Sequence, residues 1–197
     1  MLAELELASN RADETMISLA KKSSSRQGGR LIADEDRLTI RVARTNEAAG
    51  ILELVKLAFC ARESRSLATV RGLTDIERLM KRGTFLVATN KNQIVGCAYI
   101  EPRPEATRLE LLAVSPSQQR AGIGSQLMET AERLSGSMHC LFMHLRIMNL
   151  HWEALRFCRR RGYVEFGIES VSGDQPVSQH CHFVRMFKPL KPDCIAF

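Results

Sequence analysis

The stretch SPSQQRAGIGSQLMETAERL, residues 115–134, constrains the fold of this chain more than any other segment. A proline turn leads into Gly122 and Gly124, with Arg120 just before them, and an apolar stripe at helical spacing follows at once. The preceding segment TRLELLAV (107–114) has the composition of a strand. A strand, a glycine loop and a helix are therefore directly joined, with the loop at the helix N-terminus.

This arrangement predicts a binding site for phosphate. The first turn of a helix has backbone N–H groups without internal partners, and the helix dipole adds partial positive charge there. Glycines let these groups approach an anion closely. Glycines that serve only loop flexibility are the alternative, but flexibility explains neither the adjoining strand nor the helix.

Two common nucleotide motifs do not fit the loop. A P-loop needs a lysine directly after its last glycine, and none follows Gly124. The dinucleotide fingerprint needs glycine or alanine where Leu127 stands, and it needs a parallel strand–helix–strand unit where this chain has a hairpin. The phosphate ligand must belong to another class.

The composition predicts a globular protein that handles small molecules. The chain has 197 residues, is 45% hydrophobic and 25% charged, and lacks a run of about 18 apolar residues that could span a membrane. The acidic N-terminus does not resemble a signal peptide, so we expect a cytoplasmic protein. Six scattered cysteines indicate reduced thiols and no metal site. The net charge of +6 suits phosphate-bearing ligands, and no basic stripe with aromatic residues predicts a nucleic-acid partner.

Three regions are predicted along the chain. Residues 1–36 form an N-terminal arm and linker, partly helical or disordered; residues 37–191 form the folded domain; and residues 192–197 form a tail. Within the domain the patterns predict the order β-α-α-β-β-β-α-β-α-β-β. The helix after the glycine loop is expected over about 123–135, ended by Gly136. The fold class is α/β (α+β), with a mixed and largely antiparallel sheet.

The segment LELLAVSPSQQRAGIGSQLMETAE resembles the acetyl-CoA-binding motif of the GCN5-related N-acetyltransferases (GNAT). In that family a strand ending in L-A-V and a proline turn precede Q/R-x-x-G-x-G/A at the start of a helix. Here the match is Leu112-Ala113-Val114 and then Gln119-x-x-Gly122-x-Gly124. The hairpin before the motif and ALRFCRRRGYVEFG after it also follow the family order. The resemblance covers about residues 38–190.

The resemblance implies a fold, a cofactor and a reaction. The fold would be a mostly antiparallel sheet of about six to seven strands, flanked by about four helices and splayed at the cofactor site. Acetyl-CoA would be the co-substrate, without a metal, and its acetyl group would pass directly to a primary amine of a small molecule or peptide. The alternative is a non-catalytic acyl-CoA-binding or regulatory module. The family also suggests a homodimer. The residues implied in cofactor binding are Leu112, Ala113, Val114, Gln119, Arg120, Ala121, Gly122, Ile123, Gly124, Ser125 and Asn149.

Direct transfer needs an uncharged amine, so a base should take its proton, and Glu110 is the first candidate. It interrupts the apolar run LELLAV and has the strand parity of Leu112 and Val114, so it should point towards the acyl end of the carrier. A solvated strand edge is the alternative for Glu110. Arg108 shares its parity and could instead recognise a substrate carboxylate.

Cys158 is the second catalytic candidate. The family commonly has a tyrosine acid at this position and an asparagine seven residues earlier, where this chain has His151. A cysteine thiol could reprotonate the leaving thiolate, whereas a plain core role for Cys158 is the alternative.

Overall fold

The structure is a computed structural model that describes residues 38–60, 75–170 and 181–190. The arm predicted over 1–36 and the tail predicted over 192–197 lie outside these ranges, so both boundaries stay predictions. No helix within the described ranges is long and apolar enough to cross a membrane.

The predicted order of strands and helices is confirmed. The described residues form one seven-stranded sheet with the order β1-β2-β3-β4-β5-β7-β6, in which β4 and β5 are parallel and the other neighbours antiparallel. The strands are β1 (Thr39–Val42), β2 (Thr84–Asn90), β3 (Gln93–Arg103), β4 (Ala106–Val114), β5 (Phe142–Met148), β6 (Val164–Ser170) and β7 (His182–Pro189); the described helices are α1 (Ala48–Cys60), α2 (Ile76–Met80), α3 (Ile123–Ser137) and α4 (Trp152–Arg160).

Helices cover the sheet from both sides. Helices α1 and α2 pack on one face, in a cluster that includes Ile51, Phe85 and Tyr99. Helices α3 and α4 pack on the other face, in a cluster that includes Leu127 and Leu155. The first cluster is called the α1 cluster below and the second the α3 cluster.

Gly96 on β3 sets how closely α3 approaches the sheet. A Cβ atom at Gly96 would lie 2.9 Å from Leu127 Cδ1 and 3.0 Å from Ile123 Cγ2. Both contacts are shorter than ordinary van der Waals separations, so the missing side chain lets the first turns of α3 rest directly on the strand. The sheet thereby positions the helix N-terminus that follows the glycine loop.

Helix α3 ends later than the sequence indicates. Gly136 was expected to end it, but Gly136 is buried inside the last turn and the helix continues to Ser137. The chain leaves the helix at His139, whose φ of +61° is left-handed. The prediction was wrong because Leu134 and Ser135 are buried, and their burial keeps the last turn packed against the core.

Candidate active site

The sheet opens between its two parallel strands. The pairing of β4 with β5 ends at Leu109 and Leu145. Beyond this point β4 stays paired with β3 up to Val114, and β5 stays paired with β7 up to Met148. The end of β4 therefore has one edge without a strand partner in the described sheet, which confirms the predicted splay. An extended ligand with amide groups could hydrogen-bond to this edge.

The glycine loop lies at the end of β4. Gly122 is the N-cap of α3 and adopts the left-handed region with φ of +81°, and Arg120 is also left-handed with φ of +66°. The first intrahelical bond runs from Gln126 N to Gly122 O at 3.1 Å. The N–H groups of the first turn before Gln126 have no helical carbonyl to bind, as at every helix start.

The space in front of this turn is open. A Cβ atom at Gly122 would meet no atom of the described residues within 4 Å, and one at Gly124 would lie 3.7 Å from Val114 Cγ2. Backbone N–H groups, positive dipole and free space together fit an anionic group such as a pyrophosphate. We call residues 119–125 the cradle.

The structure brings most of the predicted cofactor residues together. Leu112, Ala113 and Val114 form the open edge of β4, and the cradle follows within a few residues. Gln119 Nε2 donates to Val114 O at 3.3 Å and ties the cradle to the strand end.

Asn149 lies apart from these residues. It follows the last residue of β5, and its Oδ1 accepts from His182 N at 3.2 Å while its own N–H donates to His182 O at 2.9 Å. These bonds continue the β5–β7 pairing by one residue. A role of Asn149 in cofactor binding stays a prediction.

Glu110 is the extra residue of a β-bulge. Tyr99 of β3 pairs with Leu111 and the next residue, Ile100, pairs with Leu109, so Glu110 has no opposite residue. The side chains confirm the shift, since Leu109 belongs to the α3 cluster and Leu111 to the α1 cluster. A bulge of this kind interrupts the alternation of side chains along a strand.

The bulge corrects the face that parity assigned to Glu110. Leu112 and Val114 pack against the α3 cluster, whereas Glu110 shares the opposite face with Arg108. The prediction that Glu110 lies on the same face as Leu112 and Val114 was wrong, because side chains alternate regularly only along an uninterrupted strand. The expected placement of Glu110 and Arg108 on one face holds, since their side chains form an ion pair.

Glu110 lies where the two parallel strands separate. Its Oε1 is 2.5 Å from Arg108 Nε, and its Oε2 is 4.0 Å from Arg146 Nε on β5. Its side chain is 15% exposed. A carboxylate therefore sits at the closed end of the gap, held by cations from both strands.

A basic cavity of about 340 Å³ lies beside the two arginines that approach Glu110, and Glu110 itself is not among its lining residues. Arg108 and Arg146, which both approach Glu110, lie in its wall, and Glu169 is the single carboxylate among the lining residues. Burial lowers the pKa of His144, and the Arg185 guanidinium lowers it further, which favours the neutral imidazole. The full lining is Arg103, Pro104, Ala106, Arg108, His144, Leu145, Arg146, Phe166, Glu169 and Arg185.

The sequence interpretation missed most of this cavity. It named Arg108 but not Arg146 or Arg185. Within HLRI (144–147), basic and apolar residues alternate, which predicts one polar strand face. Arg146 of β5 lies opposite Arg185 of β7, and the sequence of neither strand alone predicts this pairing.

Cys158 belongs to the core. It is 4% exposed and packs in the α3 cluster with Leu155 and Tyr163. Burial, with a smaller contribution from the charge of Glu132, raises the pKa of its thiol to about 12, so the sulfur stays protonated at neutral pH. These observations favour the core role over the role of an acid.

Tyr163 offers no exposed acid either. It is 3% exposed, and its hydroxyl donates to Glu132 Oε1 at 3.1 Å. Lys188 Nζ binds the other oxygen of Glu132 at 2.6 Å. This group of three ties α3 to the ends of β6 and β7.

An open, mostly antiparallel sheet that splits between two parallel strands, with a glycine cradle at one end of the split, defines the architecture of the N-acetyltransferase class. Residues 81–165 match the family model described as an acetyltransferase (GNAT) domain, a range that contains the bulge, the open edge and the cradle. Over these residues the chain resembles the GCN5-related N-acetyltransferase superfamily.

Known proteins resemble the chain in sequence and in fold. An amino-acid acetyltransferase of Pseudomonas putida (strain GB-1) is 30% identical over 148 residues, which are 73% of this chain and 32% of that protein. The chain thus spans about a third of the length of the curated relatives it matches. The ribosomal-protein-S18-alanine N-acetyltransferase of Escherichia coli has a TM-score of 0.62 at 18% identity, covering 82% of this chain and 100% of that one. A GNAT family acetyltransferase from Elizabethkingia anophelis with acetyl-CoA bound has a TM-score of 0.61 at 20% identity, covering 80% and 99%.

Within the three described ranges, no group of three or more histidine, cysteine, aspartate or glutamate residues is arranged to hold a metal ion.

Proposed function

We propose that the protein is an acetyl-CoA-dependent N-acetyltransferase that transfers an acetyl group directly to the primary amine of an amino acid. The observation that carries this proposal is the cradle at the end of a strand edge that has no partner in the described sheet. Two comparisons support it: the relatives named amino-acid acetyltransferases, and a fold neighbour with acetyl-CoA bound. Because the chain spans only a third of those relatives, the activity is inferred from the site of this chain.

Each part of the site has a role in the proposed reaction. The first-turn N–H groups of α3 would hold the pyrophosphate of acetyl-CoA, and the edge of Leu112 to Val114 would hydrogen-bond its amide arm. Acetyl-CoA, when bound, supplies the activated acyl group. A backbone N–H of the open β4 edge would stabilise negative charge on the carbonyl oxygen, so most of the catalysis comes from positioning and fixed dipoles.

The acceptor would bind in the basic cavity. Arginines recognise carboxylates through parallel hydrogen bonds, and Arg108 and Arg146 lie beside Glu110. An acceptor whose carboxylate binds these arginines would have its α-amine close to Glu110. Glu110 would then take the ammonium proton, directly or through a water molecule. Since Cys158 and Tyr163 are buried in the core, the leaving thiolate would take its proton from solvent.

A non-catalytic acyl-CoA-binding module is the second candidate function. The observation that favours it concerns the position where the family commonly has a tyrosine acid. In this chain that position is Cys158, which is buried and offers no exposed acid. Both candidates predict binding of acetyl-CoA. Only the enzyme releases free coenzyme A thiol when an amine acceptor is added. The predicted homodimer remains a proposal under either candidate.

The first prediction concerns cofactor binding. Acetyl-CoA at about a hundred times its Kd should stabilise the wild-type fold by about 2.7 kcal/mol, seen as a higher Tm in thermal unfolding. Gly122→Ala should weaken binding by about tenfold, because its methyl group enters the open space before the first turn and displaces charge-assisted hydrogen bonds. Gly167→Ala is the control for a methyl group added away from the cradle, since a Cβ at this β6 position would also meet no described atom within 4 Å. An unchanged wild-type Tm at millimolar acetyl-CoA would contradict the proposed function.

The second prediction concerns the acceptor. An amino acid should be acetylated with a kcat/KM at least about tenfold above that of its decarboxylated amine. The amine lacks the carboxylate and so loses a charge-assisted hydrogen bond to the arginines. Thiol release with such matched pairs measures the ratio. Equal kcat/KM values within each pair would show that the arginines do not bind the acceptor.

A further inference from the structure

A guanidinium from the end of α4 contacts the first turn of α3. Arg161 Nη2 donates to the carbonyl oxygen of Ser125, and the Arg161 Cζ atom lies 5.9 Å from the centroid of the Phe157 ring. The backbone of Arg161 is itself fixed as the C-cap of α4, with its N–H donating to Cys158 O at 2.9 Å. The residue is thus fixed at its backbone by the cap, and its guanidinium lies near an aromatic ring.

The carbonyl that Arg161 binds is part of the cradle. Ser125 O and Gln126 N belong to one peptide group, and Gln126 N–H makes the 3.1 Å bond to Gly122 O that closes the first turn. A cation on the carbonyl oxygen polarises this peptide and strengthens the hydrogen bond that its N–H donates. The contact therefore stabilises the left-handed N-cap at Gly122.

The contact also joins the two sides of the opened sheet. Helix α3 follows β4 and helix α4 follows β5, the two strands that separate at the gap. Among the described residues Arg161 has no carboxylate partner, whereas Arg159, two residues earlier, is paired with Glu165 at 2.5 Å. The full charge of Arg161 thus remains beside the turn that meets the anion.

We propose that Arg161 is a positioning residue for the pyrophosphate of acyl-CoA, which holds the cradle in its binding conformation from the opposite side of the gap and adds positive charge there. This inference rests on the proposed function for the identity of the ligand. The contact itself is independent of that identity.

The test compares Arg161→Gln, Arg161→Lys and the control Arg160→Gln in the full-length chain. Arg160 is exposed in the same last turn of α4, so the control removes the same charge. Calorimetric titration with coenzyme A should show Kd about tenfold higher for Arg161→Gln, partial retention of affinity for Arg161→Lys, and less than about a twofold change for Arg160→Gln. For acetyl transfer, KM for acetyl-CoA should rise with Kd while kcat stays nearly constant, since a positioning residue acts on binding alone.

Hydrogen exchange without ligand gives a separate readout. The Gln126 amide should exchange faster in Arg161→Gln than in wild type, while amides near the middle of α3 keep their rates. Equal Kd for the two glutamine variants, or an unchanged Gln126 rate, would overturn the inference. If wild type fails to bind coenzyme A, the proposed function fails, but the exchange of Gln126 still tests the positioning role.

Discussion

Glu110→Gln should lower kcat for acetyl transfer by about a hundredfold at neutral pH, because glutamine keeps the shape of glutamate but cannot take the proton of the acceptor ammonium. Binding of acetyl-CoA should change by less than about twofold, since Glu110 lies outside the cradle. The difference in kcat between wild type and Glu110→Gln should become smaller as the pH approaches the pKa of the acceptor amine, because solvent then removes the proton. Initial rates of thiol release across pH measure this effect.

Cys158→Ala is the matched comparison for the second catalytic candidate. Because Cys158 is 4% exposed in the α3 cluster, we expect its loss to lower the free energy of unfolding while kcat stays close to wild type. A full rate for Glu110→Gln at every pH would remove Glu110 from the mechanism. A large fall in kcat for Cys158→Ala, with the fold intact, would restore the thiol as an acid.

Gly83→Ala should lower the free energy of unfolding by about 3 kcal/mol, the upper range for overpacking a well-filled core. A Cβ atom at Gly83 would lie 2.3 Å from the carbonyl oxygen of Ile100 and 2.9 Å from the hydroxyl of Tyr99. Thr84, the next residue, pairs with Ile100 in the β2–β3 ladder, so that oxygen cannot move away without disturbing the sheet. Urea unfolding of wild type and variant measures the difference.

The same ladder joins Gly83 to the active site. Tyr99 pairs with Leu111, the residue after the bulge at Glu110, and its buried hydroxyl has no hydrogen-bond partner among the described residues. Gly167→Ala again serves as the control, since its Cβ would meet no atom within 4 Å. If the urea unfolding midpoint of Gly83→Ala equals that of this control, the backbone around Gly83 accommodates the added methyl group without loss of stability, and the prediction is wrong.

The glycine motif could be predicted because the features that form it are adjacent in the chain. Leu112 to Val114, the proline turn and the first turn of α3 follow one another within about a dozen residues. Local geometry alone gives such a segment an N-cap with free N–H groups. The β2–β3 hairpin was predictable for the same reason, and its turn residues Lys91 and Asn92 both have positive φ, as a two-residue hairpin turn requires.

The orientation of Glu110 could not be predicted in the same way. A β-bulge depends on how two strands pair, and the run LELLAV has the same composition with or without one. The role of Cys158 could not be predicted for the same reason. Its position in the sequence is that of the family's acid, but its burial depends on packing with Tyr163 and Leu155. Side-chain spacing along one segment cannot reveal contacts made by another.

The sequence by itself therefore determined the family resemblance, the order of strands and helices and the glycine loop, because each depends on contacts between near neighbours in the chain. The tertiary structure decided three further features: the side of the sheet on which Glu110 lies, the cavity in which Arg108, Arg146 and Arg185 converge, and the contact of Arg161 with Ser125. These features join residues that are far apart in the sequence. Strand pairing and helix packing bring them together, and neither is encoded in the pattern of a single segment.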